Sequence, residues 1–347
     1  MLAAVYHGPN DLRLEEVPVP EISPDEVLVK VLNASICGTD LRIYHGAHRK
    51  YPPGTVRIPG HETVGEIAKI GANVKGLEID QRVFIAPNMG CGHCAQCISG
   101  NSNLCADYQA IGITLDGAFA EYVRLPAAAV LQGNLMPIHE GIDPAVAALI
   151  EPFACVVRGQ NPLHIQPGDA VLVIGAGPIG VMHLLLARLR GAGKVLISDL
   201  IPERLEQASR LGADRTINLN HEDQAQVLAA ETGSLGANAI IVAAPAHAAQ
   251  EASLHLAAYR GRINFFGGLP KDNPTIQFDS NLVHYKELII TGTTACSTQD
   301  CRQAAEIVNS RRVDLSPLIS ATFPLKDTLQ AFAEAGNRKA LKVVIKP

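Results

Sequence analysis

Between Cys91 and Cys105 the 347-residue chain reads CGHCAQCISGNSNLC, four thiols spaced C-x2-C-x2-C-x7-C. Four thiolates at about 2.3 Å from one ion make the closed tetrahedral shell of a structural zinc. Gly90, Gly92 and Gly100 supply the backbone freedom such a wrap needs. An iron–sulfur cluster is also held by four thiolates, so the ligand set alone leaves both open. Structural zinc is the expectation, bracing a lobe at about residues 88–108 that has little core of its own. A filled shell has no position for a substrate, so chemistry must come from other residues.

The second constellation is VLVIGAGPIG, which sets Gly175, Gly177 and Gly180 as G-x-G-x-x-G after an apolar strand and at the head of an apolar helix. The first glycine permits a tight turn, the second lets backbone approach a pyrophosphate, and the third allows helix to pack on strand. The helix N-terminus, with Pro178 and Ile179, then faces the phosphates. The next strand, KVLISD, ends at Asp199, where a carboxylate can bond adenosine ribose hydroxyls. Leu200 follows in place of a base that would receive a 2′-phosphate, so NAD is favoured over NADP. Arg204 stands either beside the ribose or adenine or in solvent.

These residues need elements to hold them. Up to about residue 150 the chain is cut into short strand-like pieces, EVLVKVLNASIC, TVGEIAKIG, QRVFIAP and AFAEYVRLP, bounded by Gly, Pro, Asn and Asp. From Pro167 the texture changes to apolar strand followed by helical pattern, as in AVLVIGAG, PIGVMHLLLARL, KVLISD and PERLEQASRLGAD. That alternation requires a parallel sheet with crossover helices, giving an α/β protein. A helical DCRQAAEIVNSRR and a terminal strand ALKVVIKP close the chain. Apolar residues at 47% and charged residues at 18% argue for packed cores. A net charge of −5 without a long basic run argues against nucleic acid. The longest apolar stretch, Val171 to Leu189, is interrupted by glycines, Pro178, His183 and Arg188, which argues against a membrane span. No secretory signal is legible at the N-terminus, so eight reduced cysteines and a cytoplasmic address are expected.

One thiol outside the cluster, Cys37 in ASICGTD, ends a predicted strand, and PGHETVGE supplies His61 and Glu62 after Gly60. ICGTD, GHETVGEIAKIGANVK, the four-cysteine lobe, DGAFAEYV, LIEP and VIGAGPIG occur in this order along essentially the whole chain. Together they resemble the zinc-dependent medium-chain dehydrogenases, most closely the polyol branch of sorbitol, galactitol-phosphate and aldonate dehydrogenases, with threonine dehydrogenase nearby. The resemblance implies a GroES-like β-rich catalytic domain of residues 1–153 and 290–347. A doubly wound Rossmann domain for NAD, residues 154–289, lies between the two parts.

It implies two zincs per chain: a structural ion on Cys91, Cys94, Cys97 and Cys105, and a catalytic ion on Cys37 and His61 with Glu62 and Glu151 as the remaining candidate ligands. An incomplete shell lets a substrate hydroxyl approach the ion and lose its proton more easily. Thr39 resembles the hydroxyl that starts a proton relay. Where many relatives continue with histidine this chain has Arg42, which cannot lose a proton, so the relay runs through ribose, water or His45, or is absent. Asp40 is expected to brace the loop. Arg42, His48, Arg49 and Lys50, with Tyr44 and Tyr51 among them, make either a solvated loop or a handle for an anionic substrate. His284, Tyr285 and Lys286 border either the cofactor or a subunit contact, and Cys155, Cys296 and Cys301 read as plain thiols.

The expected activity is hydride transfer from a secondary alcohol of a polyol or sugar derivative to NAD, giving a ketone. L-Threonine, a polyol phosphate or an aldonate is the alternative substrate. A non-catalytic nucleotide-binding protein of the same fold is the alternative class. The partners implied are a small molecule and further copies of the chain, as a dimer or tetramer.

Overall fold

The computed structural model describes residues 1–337 and 339–347. Its contacts divide the chain into two compact units, Met1–Ala154 with Ala295–Pro347, and Cys155–Thr294. Among the described residues no helix is long and apolar enough to cross a membrane.

In the second unit, runs such as VLVI and AIIV lack the alternation of a half-solvated strand, as expected where both faces of a sheet are covered. They lie in a six-stranded parallel sheet ordered Arg215–Asn218, Lys194–Asp199, Ala170–Ile174, Ala237–Val242, Ala257–Phe265, Ile289–Gly292. Counted along the chain that order is 3-2-1-4-5-6, the doubly wound Rossmann arrangement. It reverses between Ala170–Ile174 and Ala237–Val242, and there Gly175 abuts Ala243 and Ala244. Three details differ from the sequence reading. Arg215–Asn218 and the helix Gln224–Thr232 have too little apolar periodicity to stand out. The helix at His247 ends at Leu256, because Ala257 already pairs with Ala237 in the sheet. Ile289–Gly292 completes the sheet, so the chain leaves this unit after Thr294 rather than at 290.

The first unit is built on a seven-stranded sheet in which Val27–Ser35 is central. It pairs antiparallel with Glu62–Ile70, Tyr122–Leu125 and the C-terminal strand Lys342–Lys346. Registers Ser35↔Glu62 and Val344↔Ser35 bring three distant segments to one end of that strand. Behind it packs a core that includes Ile67, Ile85, Phe119, Leu125 and Phe332. The cysteine lobe is closed at its base by Asn88–Met89 paired with Gln109–Ala110. Its own apolar residues, Ile98 at 76% and Leu104 at 47% exposure, bury too little to hold it.

Candidate functional site

Strand Val27–Ser35 runs out at Ile36, and Cys37 takes the N-cap of the short helix Gly38–Tyr44 with extended φ and ψ of −101° and 157°. The Cys37 N–H donates to Asp40 Oδ2 at 2.9 Å, which fixes the loop. His61 and Glu62 arrive from the neighbouring strand through Gly60, whose φ of +101° suits glycine. A Cβ there would also sit 2.8 Å from the Phe119 nitrogen. The donor atoms of Cys37, His61 and Glu62 come to lie within 4.8 Å of one another.

The surroundings of these donors are only partly legible in the sequence. Asp40, fully buried, places Oδ1 3.3 Å from His61 Nδ1, a close contact in which neither atom completes a hydrogen bond. Burial works against an imidazolium at His61, but Asp40 and Cys37 together raise its pKa well above the ordinary value. Glu62, also fully buried, accepts at Oε2 from the Ser35 hydroxyl and from Lys342 Nζ at 2.5 Å. Lys342, 4% exposed, donates in addition to Ile36 O at 2.9 Å. Burial pushes the Glu62 pKa up to about 7; Lys342 opposes this, Glu151 adds to it and His61 opposes it. Glu62 Oε1 is buried with no hydrogen-bond partner. A thiol, an imidazole and an orphaned buried carboxylate oxygen converging on one point fit a zinc ion.

Glu151, in the first turn of the helix Ile150–Gln160, lies outside that donor set, with Oε1 3.5 Å from Cys296 Sγ. Cys296 and Cys301 are buried with sulfurs 3.5 Å apart, flanking the Ser297 and Asp300 capping pair of the helix Thr298–Asn309. Sequence reasoning misses Ser35 and Lys342. The available signal is a lysine opening an otherwise apolar terminal strand, which does not disclose its partner.

Thr39 follows Cys37 by two residues, and Arg42 Nη2 donates to Thr39 Oγ1 at 2.9 Å. The position that the resemblance gives to a relay histidine therefore holds a cation bound to the hydroxyl itself. His45 pairs with Asn10 Oδ1 at 2.9 Å rather than with Thr39. His48 is half-buried, and burial and the charges of Arg42, His61 and Arg49 lower its pKa. Tyr51 is core, donating to Gly112 O at 2.9 Å beneath Arg57, and Tyr44 packs on Phe332.

In the cysteine lobe the four sulfurs lie within 4.8 Å of one another, with Cys94 3.5 Å from Cys97 and 3.7 Å from Cys105. Tetrahedral bonds of about 2.3 Å put sulfurs about 3.8 Å apart, so the cage fits zinc. A Cβ at Gly90 would meet Cys97 Sγ at 2.3 Å, and Gly92 and Gly100 have φ of +84° and +82°.

At the Gly-rich turn, Gly175 has φ +108° and Gly177 is the N-cap of the helix Pro178–Leu189. A Cβ at Gly180 would stand 1.8 Å from Gly175 O. Asp199 Oδ2 accepts from Ala176 N at 2.7 Å, and Oδ1 accepts from Leu200 N and Ile201 N at 2.7 and 2.9 Å. Arg204 reaches back so that Nη1 is 3.9 Å from Asp199 Oδ2 and 3.6 Å from where a Gly177 Cβ would be. A backbone cradle open at Gly177 with a fixed carboxylate at its side fits a dinucleotide. Lys286 instead ties down its own helix, donating to His255 O and Ala257 O at 3.1 and 2.8 Å.

Comparison with known proteins identifies the family. Residues 23–137 match the alcohol dehydrogenase GroES-like domain family and residues 178–310 the zinc-binding dehydrogenase family. The chain is 32% identical to the sorbitol dehydrogenase of Bacillus subtilis strain 168, covering 100% of this chain and 97% of that protein. It is 34% identical to the L-threonine 3-dehydrogenase of the same strain, covering 96% and 94%. An alcohol dehydrogenase of Escherichia coli CFT073 solved with NADH superposes with a TM-score of 0.91 at 29% identity, covering 100% and 99%. The chain belongs to the zinc-binding alcohol dehydrogenase family of medium-chain dehydrogenases. It is an oxidoreductase, and zinc and a nicotinamide dinucleotide are its cofactors.

Proposed function

We propose that the chain oxidises a secondary alcohol of a polyol or sugar derivative to a ketone, with Cys37, His61 and Glu62 holding the catalytic zinc. The observation that carries this reading is the convergence of those three donors beside Thr39. Cys91, Cys94, Cys97 and Cys105 hold the structural zinc. Gly175, Gly177, Pro178, Ile179 and Gly180 cradle the pyrophosphate of NAD, and Asp199 with Arg204 takes the adenosine ribose. Bound zinc supplies Lewis acidity that makes an alcohol proton easier to lose, and bound dinucleotide accepts hydride.

The protein's own part is positioning and proton transfer. Asp40 stands 3.3 Å from His61 Nδ1, on the side from which an outer carboxylate orients a ligating imidazole. Arg42 donates to Thr39 Oγ1, so that the Thr39 proton is directed to a different acceptor and its oxygen stays available to the substrate hydroxyl. Negative charge arising on that oxygen is eased by the guanidinium, and the proton leaves by water or ribose rather than through Arg42. Glu151 adds negative charge next to this set.

A second reading narrows the substrate to one carrying phosphate or carboxylate. Arg42, Arg49 and Lys50 are exposed, and among the described residues none has a carboxylate ion-pair partner. L-Threonine is the runner-up, since the same donor set suits an amino alcohol. Polyols, polyol phosphates, aldonates and L-threonine, each assayed with NAD and NADP at the reduced-nicotinamide absorbance band, decide among these. Turnover of none of them with zinc-replete protein refutes the substrate class. Self-association belongs to the same proposal: Tyr259 and Ile289, 75% and 54% exposed, lie on the last two strands of the parallel sheet, and Tyr285, 72% exposed, lies on the helix just before the edge strand Ile289–Gly292. Thiolate-rich metal shells also suit a reducing cytoplasm.

A further inference from the structure

Glu62 forms a buried ion pair with Lys342, a residue to which the proposed reaction gives no part. The ammonium sits between Glu62 Oε2 at 2.5 Å and Ile36 O at 2.9 Å, and the Ser35 hydroxyl donates to the same carboxylate oxygen. Oε2 is thus occupied by two donors, whereas Oε1 is buried and has no hydrogen bond. The strand pairing makes this arrangement rigid, since Ser35 stands opposite both Glu62 and Val344.

A carboxylate next to a metal ion has two uses for its charge. Unrestrained, it can bind the ion through both oxygens and fill the fourth position, which a substrate oxygen needs. Tied to an ammonium at one oxygen, it offers the ion a weaker donor through the other, and the cation nearby also repels the metal. Cys37 and Glu62 each contribute −1 beside the buried carboxyl groups of Asp40 and Glu151, and the Lys342 ammonium offsets one of these charges.

We propose that Lys342 is a positioning residue that keeps Glu62 from closing the metal shell, leaving one position exchangeable for substrate. This rests on the reading that Cys37, His61 and Glu62 hold the catalytic zinc. The test is zinc release from fully loaded protein into excess chelator, followed with a colorimetric zinc indicator. Wild type, Lys342→Met, Lys342→Arg, Ser35→Ala and Cys37→Ser are compared.

Wild type is expected to release two zincs in two phases, and the phase missing in Cys37→Ser marks the catalytic site. Lys342→Met slows that phase by about 10-fold because the freed carboxylate engages the ion. Lys342→Arg restores the wild-type rate, and Ser35→Ala gives a slowing in the same direction. The four-cysteine phase stays constant in every variant and certifies the fold. With cobalt in the catalytic position, the visible spectrum of wild type changes when a short alcohol is added, and that of Lys342→Met does not. Release from Lys342→Met at or above the wild-type rate, with the four-cysteine phase unchanged, overturns the role of Lys342. If Lys342→Met does not fold, Ser35→Ala decides, and a wild-type rate there overturns it equally. A wild-type chain that releases only the four-cysteine zinc overturns the metal reading itself.

Discussion

Gly180→Ala is a test in which the sign alone is decisive. Gly180 is in the first turn of the helix Pro178–Leu189, and replacing a helical glycine by alanine stabilises by up to about 1 kcal/mol when the site has room. Here the added carbon would stand 1.8 Å from Gly175 O and 3.5 Å from Val173 Cγ1. A carbon–oxygen contact of about 3.3 Å is normal, so helix and turn must part by about 1.5 Å. Forcing a methyl into a packed site costs about 1–3 kcal/mol, and this overlap belongs at the upper end. The net expectation is a loss of about 1–2 kcal/mol, seen as a melting transition lowered by roughly 3–8 °C. The same displacement moves the turn that would meet the pyrophosphate, so NADH titrated by fluorescence binds about 10–100-fold more weakly. Gly177→Ala is the paired control. Its nearest neighbour would be Arg204 Nη1 at 3.6 Å, an ordinary contact, so melting changes little while NADH affinity falls about 10-fold. A Gly180→Ala protein that melts at or above the wild-type temperature refutes the packing argument. A Gly177→Ala protein with unchanged NADH affinity refutes the cofactor argument.

Thr39→Val is expected to lower kcat by about 100-fold or more, the scale of a lost proton-transfer group, whereas His45→Ala, whose ring is engaged by Asn10, changes it only slightly. Equal losses in steady-state kinetics would put His45 in the relay. Asp199→Ser removes the carboxylate that disfavours a 2′-phosphate and leaves Arg204 to meet one, so the NADP-to-NAD ratio of kcat/KM rises by about 10-fold or more, roughly one charge-assisted hydrogen bond; an unchanged ratio removes Asp199 from cofactor choice. His183 is fully buried against Phe266 and Gln160, and burial with the charge of Arg190 lowers its pKa to about 3. Between that value and the ordinary 6.5 the unfolded chain binds the extra proton, so stability is lost as pH falls, by about 1.4 kcal/mol per unit from this group. Denaturant titrations from pH 7 to 5 should show a slope that His183→Leu flattens, and parallel curves would refute it.

The parts of the site legible in the sequence are those in which one short segment carries the whole chemical requirement. Four thiols within fifteen residues must share an ion if the loop is to be held, and the separations of their sulfurs accord with zinc. The G-x-G-x-x-G turn and Asp199 belong to consecutive parallel strands, so their meeting follows from the strand–helix alternation. Cys37 and His61 are paired in the sequence only through family resemblance, because nothing local says that a residue near 37 faces one near 61. The sheet supplies that information through the register of Ser35 against Glu62. Lys342, 280 residues from Glu62, is beyond any pattern of spacing. A lysine in a terminal strand ordinarily reads as a solvated edge residue. It is buried here because the strand inserts beside Val27–Ser35 and because a carboxylate waits at the other side. Arg42 is the opposite case: sequence alone marks it as unable to carry a proton, and the structure adds that it grips the hydroxyl that can. Where a charge is satisfied locally, as Asp40 is by the Cys37 N–H, its partner is readable from the chain; where satisfaction comes through a distant strand, as for Glu62 and Lys342, only the fold discloses it.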